Sequence, residues 1–280
     1  MYNLLLQGNM KSSAIGEVIA ESFSVPLSDV DISHEDEFDS RNWEARVFCD
    51  YSPRRGDVSW ALDIYTNGDP DIQPTEEDLA RAISRSLGSV VLFPPKEKFP
   101  SLWKVATPRG EVKYARIREP EEAEGAIKVT DVEIPVPELP GSRVSRFPEV
   151  IREVQIPTPI VDSYLPRGAE GELKKLRSLS VNWERLAARM ASGWPPFSWY
   201  PERMYEEDLV LRDRLQQLAE VATTAEGSPA LEMLDKLDSL YRQETVDDGG
   251  RALAEACGFP ASELTQRPWY WKRRPTKLPW

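Results

Sequence analysis

Eight of the chain's 24 prolines fall between residues 119 and 168, at 120, 135, 137, 140, 148, 157, 159 and 166. Proline fixes φ and carries no backbone N–H, so such a stretch cannot run as a long helix or sit inside a sheet. It separates two regions whose apolar residues repeat with different periods. The expectation is therefore an α+β protein in three parts. Residues 1–118 form a sheet domain, 119–168 a proline-rich extended connector, and 169–280 a helical domain with a basic, aromatic C-terminal tail. Ile127–Val129 and Val132–Ile134 are candidates for short paired edge strands within the connector. The Val, Ile and Phe scattered through it argue against full disorder.

The first region has the clearer pattern. Tyr2 to Gln7 reads as a strand, and Ile15, Val18, Ile19 and Phe23 as one face of a helix. From 43 to 51, Trp43, Ala45, Val47, Cys49 and Tyr51 alternate with Glu44, Arg46 and Asp50, which is the period of a half-buried strand. Trp60, Leu62 and Ile64 mark the returning strand after the turn at 53–57. Thr75 followed by Glu76, Glu77 and Asp78 is a helix start. Its capping hydroxyl and first-turn acids suit the positive end of a helix. Leu79, Ile83 and Leu87 continue that helix, and Gly88 ends it. Val90–Phe93 is a short buried strand, and 103–107 and 111–117 flank Pro108-Arg109-Gly110 as a hairpin. The order is β-α-β-β-α-β with an added hairpin, the split βαβ arrangement of ferredoxin-like folds. That fold serves many unrelated functions and selects none.

Beyond residue 168 the apolar spacing is helical. Leu173, Leu176 and Leu179 lead into Trp183, Leu186 and Met190. Met204, Leu211, Leu215, Leu218 and Ala222 form a second stripe. Ser228-Pro229 reads as a capping serine with proline at the first helical position, ahead of Leu231, Leu234, Leu237, Leu240 and Tyr241. A last helix, Ala252 to Cys257, closes on Gly258 and Pro260. Ala254 and Gly258 resemble the first helix and turn of a helix-turn-helix. The would-be recognition helix meets Pro268 after about two turns, too short to read a groove.

The chemistry available is narrow. The single histidine, His34, lies in an acidic stretch that reads as an exposed loop, so a histidine-centred triad has little to build on. Cys49 and Cys257 are far apart and form no CxxC pair; neither a disulfide framework nor a zinc site is expected. No phosphate loop, GxGxxG, GxSxG or HExxH motif occurs. No cofactor and no metal are expected. With no run of about 18 apolar residues, no membrane span is expected. The N-terminal apolar patch is shorter than the ~7 residues of a minimal signal peptide, so a cytoplasmic location is the expectation. The net charge of −12 opposes a phosphate backbone and favours a basic protein partner or plain solubility.

Three surfaces are candidates. Asp29, Asp31, Glu35, Asp36, Glu37 and Asp39 form the densest charge cluster. It lacks the spacing of a calcium loop and reads either as a solvated loop or as a contact for a basic partner. Trp194, Phe197, Trp199 and Tyr200 lie among three prolines. They serve either as stiffly presented binding anchors or as filling between two helices. The tail carries Trp269, Tyr270, Trp271, Lys272, Arg273, Arg274 and Trp280 and no acid after Arg267. It could stack on nucleic-acid bases, but docking onto the protein's own acidic surface ranks first. The leading expectation is a protein-binding module, of inhibitor, immunity or adaptor type, for a basic protein partner. The alternatives are an enzyme using carboxylates in an interdomain cleft, and a nucleic-acid binder working through the tail.

Overall fold

Leu4, Leu5 and Leu6 of β1 (Tyr2–Leu6) are all buried. Neighbouring side chains on a strand point to opposite sides, so this strand needs cover on both faces. The computed structural model describes residues 1–9, 11–39, 41–68, 72–96, 99, 101–120, 125–222 and 229–280, and it supplies that cover. The chain is α+β, with a large, mostly antiparallel sheet and eight α-helices among the described residues. It divides into two units, residues 1–147 and 148–280.

In the first unit β1 is followed by α1 (Ser12–Phe23), β2 (Val30–His34), β3 (Val47–Pro53), β4 (Arg55–Gly56) and β5 (Trp60–Thr66). Then come α2 (Glu76–Leu87), β6 (Val91–Phe93), β7 (Leu102–Ala106), β8 (Val112–Arg118), β9 (Ala126–Val132) and β10 (Arg143–Val144). The sheet runs in the order β10-β9-β8-β7-β6-β1-β5-β3-β2, with β4 joined to β9 off this path. β1 lies antiparallel between β5 and β6, with Leu4 opposite Leu62 and Leu5 opposite Leu92. On one face, Ile15, Ile19 and Phe23 of α1 and Leu79, Ile83 and Leu87 of α2 pack on Leu4, Leu6, Cys49 and Ile64. On the other, Leu5, Leu92, Val105, Ala115 and Val129 meet Val136 and Leu139. The caps of α2 are those expected: Thr75 Oγ1 accepts from the Asp78 N–H at 3.1 Å, and Gly88 closes the helix at φ 62°.

Three differences from the expected pattern have local causes. The strand expected over 43–51 begins at Val47, and Trp43 lies outside it, exposed. Ile127–Val129 and Val132 fall in one strand, β9, which ends there, so Glu133 and Ile134 lie outside it; β9 pairs with β8, β10 and β4. Gly56 permits the last contact, because a Cβ there would stand 2.3 Å from the carbonyl oxygen of Ile127. The third concerns the region expected as a connector. Residues 119–168 carry β9 and β10 as well as α3 (Pro148–Glu153) and α4 (Pro159–Tyr164). Pro148 and Pro159 open these helices, where a missing N–H costs no hydrogen bond.

The second unit adds α5 (Gly171–Ala191), α6 (Glu202–Ala222), α7 (Pro229–Glu244), β11 (Thr245–Asp247), α8 (Arg251–Cys257) and β12 (Arg273–Pro275). Its core joins Trp183, Leu186 and Met190 of α5 to Leu209 and Leu215 of α6 and Leu237 and Tyr241 of α7. Leu173 is exposed, so the α5 stripe starts at Leu176. On α6 the buried row is Tyr205, Leu209, Arg212, Leu215 and Ala219, and Leu211 and Leu218 are only half-buried. Arg212 sits in the apolar row because Asp238 takes it at 2.9 Å and the Tyr270 ring lies 4.7 Å from its guanidinium. Ser228 and the side chain of Ala222 lie outside the described residues. After α8 the chain makes only two short 3-10 turns, at Ala261–Leu264 and Trp269–Lys272, which present no second α-helix to a groove.

Cys49 and Cys257 are both free and buried. Burial pushes the Cys49 thiol up to about 12, which leaves it unreactive at neutral pH. Among the described residues no helix is long and apolar enough to cross a membrane.

Candidate functional site

The acidic stretch is not one surface. Asp31 lies on β2 and is buried, contrary to the expected solvated loop. Its carboxylate accepts from Ser33 Oγ at 2.8 Å and from the Asn42 N–H at 2.9 Å, with the buried Arg41 guanidinium 3.4 Å away. Arg41 also pairs with Asp50, which accepts from the Tyr65 hydroxyl at 3.2 Å. Asp31 is thus a brace that holds the returning chain against the end of the sheet. Asp29 is half-buried, and its carbonyl accepts from the Arg46 N–H. His34 also sits on β2 rather than in a loop, half-buried edge-on to the Tyr51 ring at 5.4 Å.

Glu35, Asp36, Glu37 and Asp39 do face solvent. Between and beside them stand Phe38, 60% exposed, and Trp43, 57% exposed. The hydrogen bonds of Asn42 to Ser28 and Asp31 fold this stretch back beside β2, the last strand of the sheet. Among the described residues of 35–43 there are thus two exposed aromatic rings, at least four solvated carboxylates and one cation, Arg41, 5.2 Å from the Trp43 ring.

The aromatic segment between α5 and α6 is mostly interior. Trp194 and Tyr200 are buried and pack on each other at 5.1 Å between ring centres. Trp194 Nε1 donates to the Lys277 carbonyl, and the Tyr200 hydroxyl donates to Asp208 at 2.6 Å. Phe197 and Trp199 are half-buried against the same core. Trp194 and Tyr200 therefore cannot serve as exposed anchors. Prolines bring the chain round tightly here, and the rings fill the space the turn leaves.

The tail is likewise built into the core of its own unit. Tyr270 and Trp271 are buried, and Trp269 and Trp280 pack against the same cluster. Asp213 accepts from the Tyr270 hydroxyl at 2.6 Å and from Trp271 Nε1 at 3.0 Å. Arg273 donates to Thr245 Oγ1, and β12 pairs with β11, setting Arg274 opposite Val246. Lys272 is half-buried at the turn before β12. Tyr270 and Trp271 are thus turned inward and cannot stack on nucleic-acid bases, while Trp269 and Trp280 are half-buried.

A further polar site was not singled out by the sequence reading. Arg177, Val181, Arg185 and Arg189 follow one another at four-residue steps on α5, so they line one side of it. That spacing was the available signal. Arg177, Val181 and Arg185 border a cleft of about 480 Å3 with Thr158, Asp162 and Arg167. Arg185 also borders a pocket of about 160 Å3 with Arg152, Asn182, Arg189, Tyr200 and Asp208. Asp208 is buried, which pushes its carboxyl up to about 6 against the pull of the Tyr200 and Asn182 hydrogen bonds. Next door, hydrogen bonds from Arg177 and Arg167 hold Asp162 below the usual carboxylate range. Burial lowers Arg189 and raises Tyr200. Guanidinium groups in this density suit an anionic ligand rather than a metal ion.

The chain matches no protein-family model, no curated protein sequence and no solved structure.

Proposed function

We propose that the chain is a protein-binding module, of inhibitor, immunity or adaptor type, and that the edge at Phe38 and Trp43 takes a basic segment of another protein. One observation carries this reading. Two large aromatic rings, each more than half exposed, lie within eight residues of the exposed Glu35, Asp36, Glu37 and Asp39 in the chain. Large exposed rings rimmed by charge mark binding surfaces on soluble domains. Aromatic residues also supply most of the energy where such surfaces dock. The net charge of −12 steers a cationic partner toward the molecule, and the local carboxylates set where it lands.

A ferredoxin-like layout is the companion proposal for the first unit. The order β6-β1-β5-β3, antiparallel throughout, with α1 and α2 on one face, supports it, as does the split βαβ order of the sequence. β2 and the strands from β7 onward then extend that sheet at its two ends.

The test uses a lysine-rich peptide of defined length and isothermal calorimetry at two salt concentrations. Binding should be salt-sensitive. The double substitution Phe38→Ala, Trp43→Ala should weaken it by about tenfold or more, as for loss of anchor residues. Equal binding by the substituted protein would mean that diffuse charge alone attracts the peptide, and the edge would lose its role.

A further inference from the structure

The α5 arginine row sits in a chain of strong negative charge, and its guanidinium groups are unevenly answered. Five arginines line the cleft and its adjoining pocket: Arg152, Arg167, Arg177, Arg185 and Arg189. Asp162 takes two of them, Arg167 at 3.0 Å and Arg177 at closer range, and Glu207 takes Arg152. The other two have neutral partners. Arg185 donates to Gln155 Oε1 at 3.0 Å, and its buried Nε meets no acceptor among the described residues. Arg189 donates to the carbonyls of Pro195 at 2.7 Å and Ile151 at 3.0 Å. Asp208 borders the same pocket, but its carboxylate is taken by Tyr200 at 2.6 Å and Asn182 at 3.1 Å. Asp208 lends Arg189 some counter-charge, but Arg185 and Arg189 donate their hydrogen bonds only to neutral groups, and a cation held largely by dipoles is costly unless a further counter-charge joins it.

We infer that this cleft binds a small organic phosphate monoester, with the phosphoryl group at Arg185, between the cleft and the pocket, and the organic body over Ile156 and Val181. The chemistry follows from charge, shape and lining. A phosphate monoester brings about −1.5 to −2 charges on one compact group near neutral pH, which matches two guanidiniums that donate to no carboxylate. A carboxylate brings only one. The planar fork of arginine bonds phosphoryl oxygens in pairs. Thr158 and Gln155 add hydrogen-bonding capacity at the wall, and Ile156, Pro157 and Val181 give the cleft an apolar side for the rest of the ligand. A nucleic-acid backbone would have to approach against the field of the whole chain, whereas a small anion enters a cleft where that field is locally reversed.

The site is independent of the Phe38 and Trp43 edge, and either proposal can fail without the other. The probe is phenyl phosphate, titrated into the full chain by calorimetry at low salt, with benzoate and inorganic phosphate as comparators. Phenyl phosphate should bind and raise the melting temperature, and benzoate should bind at least about tenfold more weakly for want of the second charge. Inorganic phosphate should fall between them, since it lacks the body that covers Ile156 and Val181. Arg185→Gln should cost about tenfold or more in affinity. Arg167, which is 84% exposed, can be changed without risk to folding, so Arg167→Gln keeps the test sound if Arg185→Gln does not fold. It should cost about threefold, as for a partly screened surface charge. No binding of phenyl phosphate by the unaltered chain would overturn the assignment. So would benzoate binding equal to that of phenyl phosphate, or unchanged affinity in a folded Arg185→Gln protein or in Arg167→Gln.

Discussion

Trp43 in the first unit and Trp271 in the second each carry an arginine against the ring, Arg41 at 5.2 Å and Arg267 at 4.5 Å. Each lies in a stretch dense in aromatics and in charge of one sign. Yet Trp43 is 57% exposed and Trp271 1%. The difference is what the rest of the unit offers. In the second unit Asp213 gathers the indole N–H of Trp271, the hydroxyl of Tyr270 and the guanidinium of Arg267 on one carboxylate. The Tyr270 hydroxyl and the Trp271 indole N–H both find an acceptor there, so these two rings turn inward. In the first unit the brace of Asp31, Arg41 and Asp50 anchors the backbone on either side of Phe38 and leaves the ring outside. Charge around an aromatic therefore does not decide its exposure; the internal acceptor does.

The sharpest way to break this contrast is to remove the buried ring. Trp271→Ala should destabilise the second unit by about 3–5 kcal/mol, as for a large ring deleted from a packed core, measured by denaturant unfolding. A loss below about 1 kcal/mol would show that the tail is a loose cover.

The next effect has the opposite sign and concerns a carboxyl rather than a ring. Asp208 rises from an ordinary 3.8 to about 6 in the folded protein. The unfolded chain thus ionises it more readily. Asp208 imposes no penalty below pH 3.8. The penalty grows as pH rises through the window up to about 6, then stays constant. At neutral pH it amounts to roughly 3 kcal/mol. Asp208→Asn should therefore raise stability above pH 6, with the gain vanishing toward pH 4. A pH-independent difference between the two proteins would contradict the burial assigned to this group.

Asp213→Ala should cost about 2 kcal/mol, because it leaves the tyrosine hydroxyl and the indole N–H of the tail without their acceptor. The smallest effect belongs to the exposed ring. Trp43→Ala should change stability by less than about 0.5 kcal/mol, even though the same ring is placed at the centre of partner binding. A larger change would make Trp43 a structural residue and move the contrast elsewhere.

Features governed by near neighbours in the chain were legible. Thr75 and Gly88 bounded α2 correctly because a capping hydroxyl and a left-handed glycine act within four residues. The apolar faces of α1 and α2 were likewise set by local spacing. β2 was not legible. Its buried side chains are Asp31 and Ser33, and its apolar ones, Val30 and Ile32, are only half-buried. The inversion depends on Arg41, which reaches Asp31 from across a loop. Arg212 hid the true face of α6 in the same way, since only Asp238 on another helix makes an arginine tolerable there. The pocket at Asp208 combines that residue of α6 with Tyr200 from the preceding turn and Asn182 and Arg189 from α5, and spacing within one element could suggest only the arginine row.

The position of β1 has a kinetic consequence. Its partners, β5 and β6, pair with it at Leu62 and Leu92, so its three consecutive leucines wait for β5 on one side and longer still, for β6, on the other. Pairings this distant in sequence close slowly, and an apolar strand left waiting is where a nascent chain meets chaperones or another copy of itself. The burial of β1 between β5 and β6 in the finished sheet thus leaves its leucines uncovered until those two strands have been made.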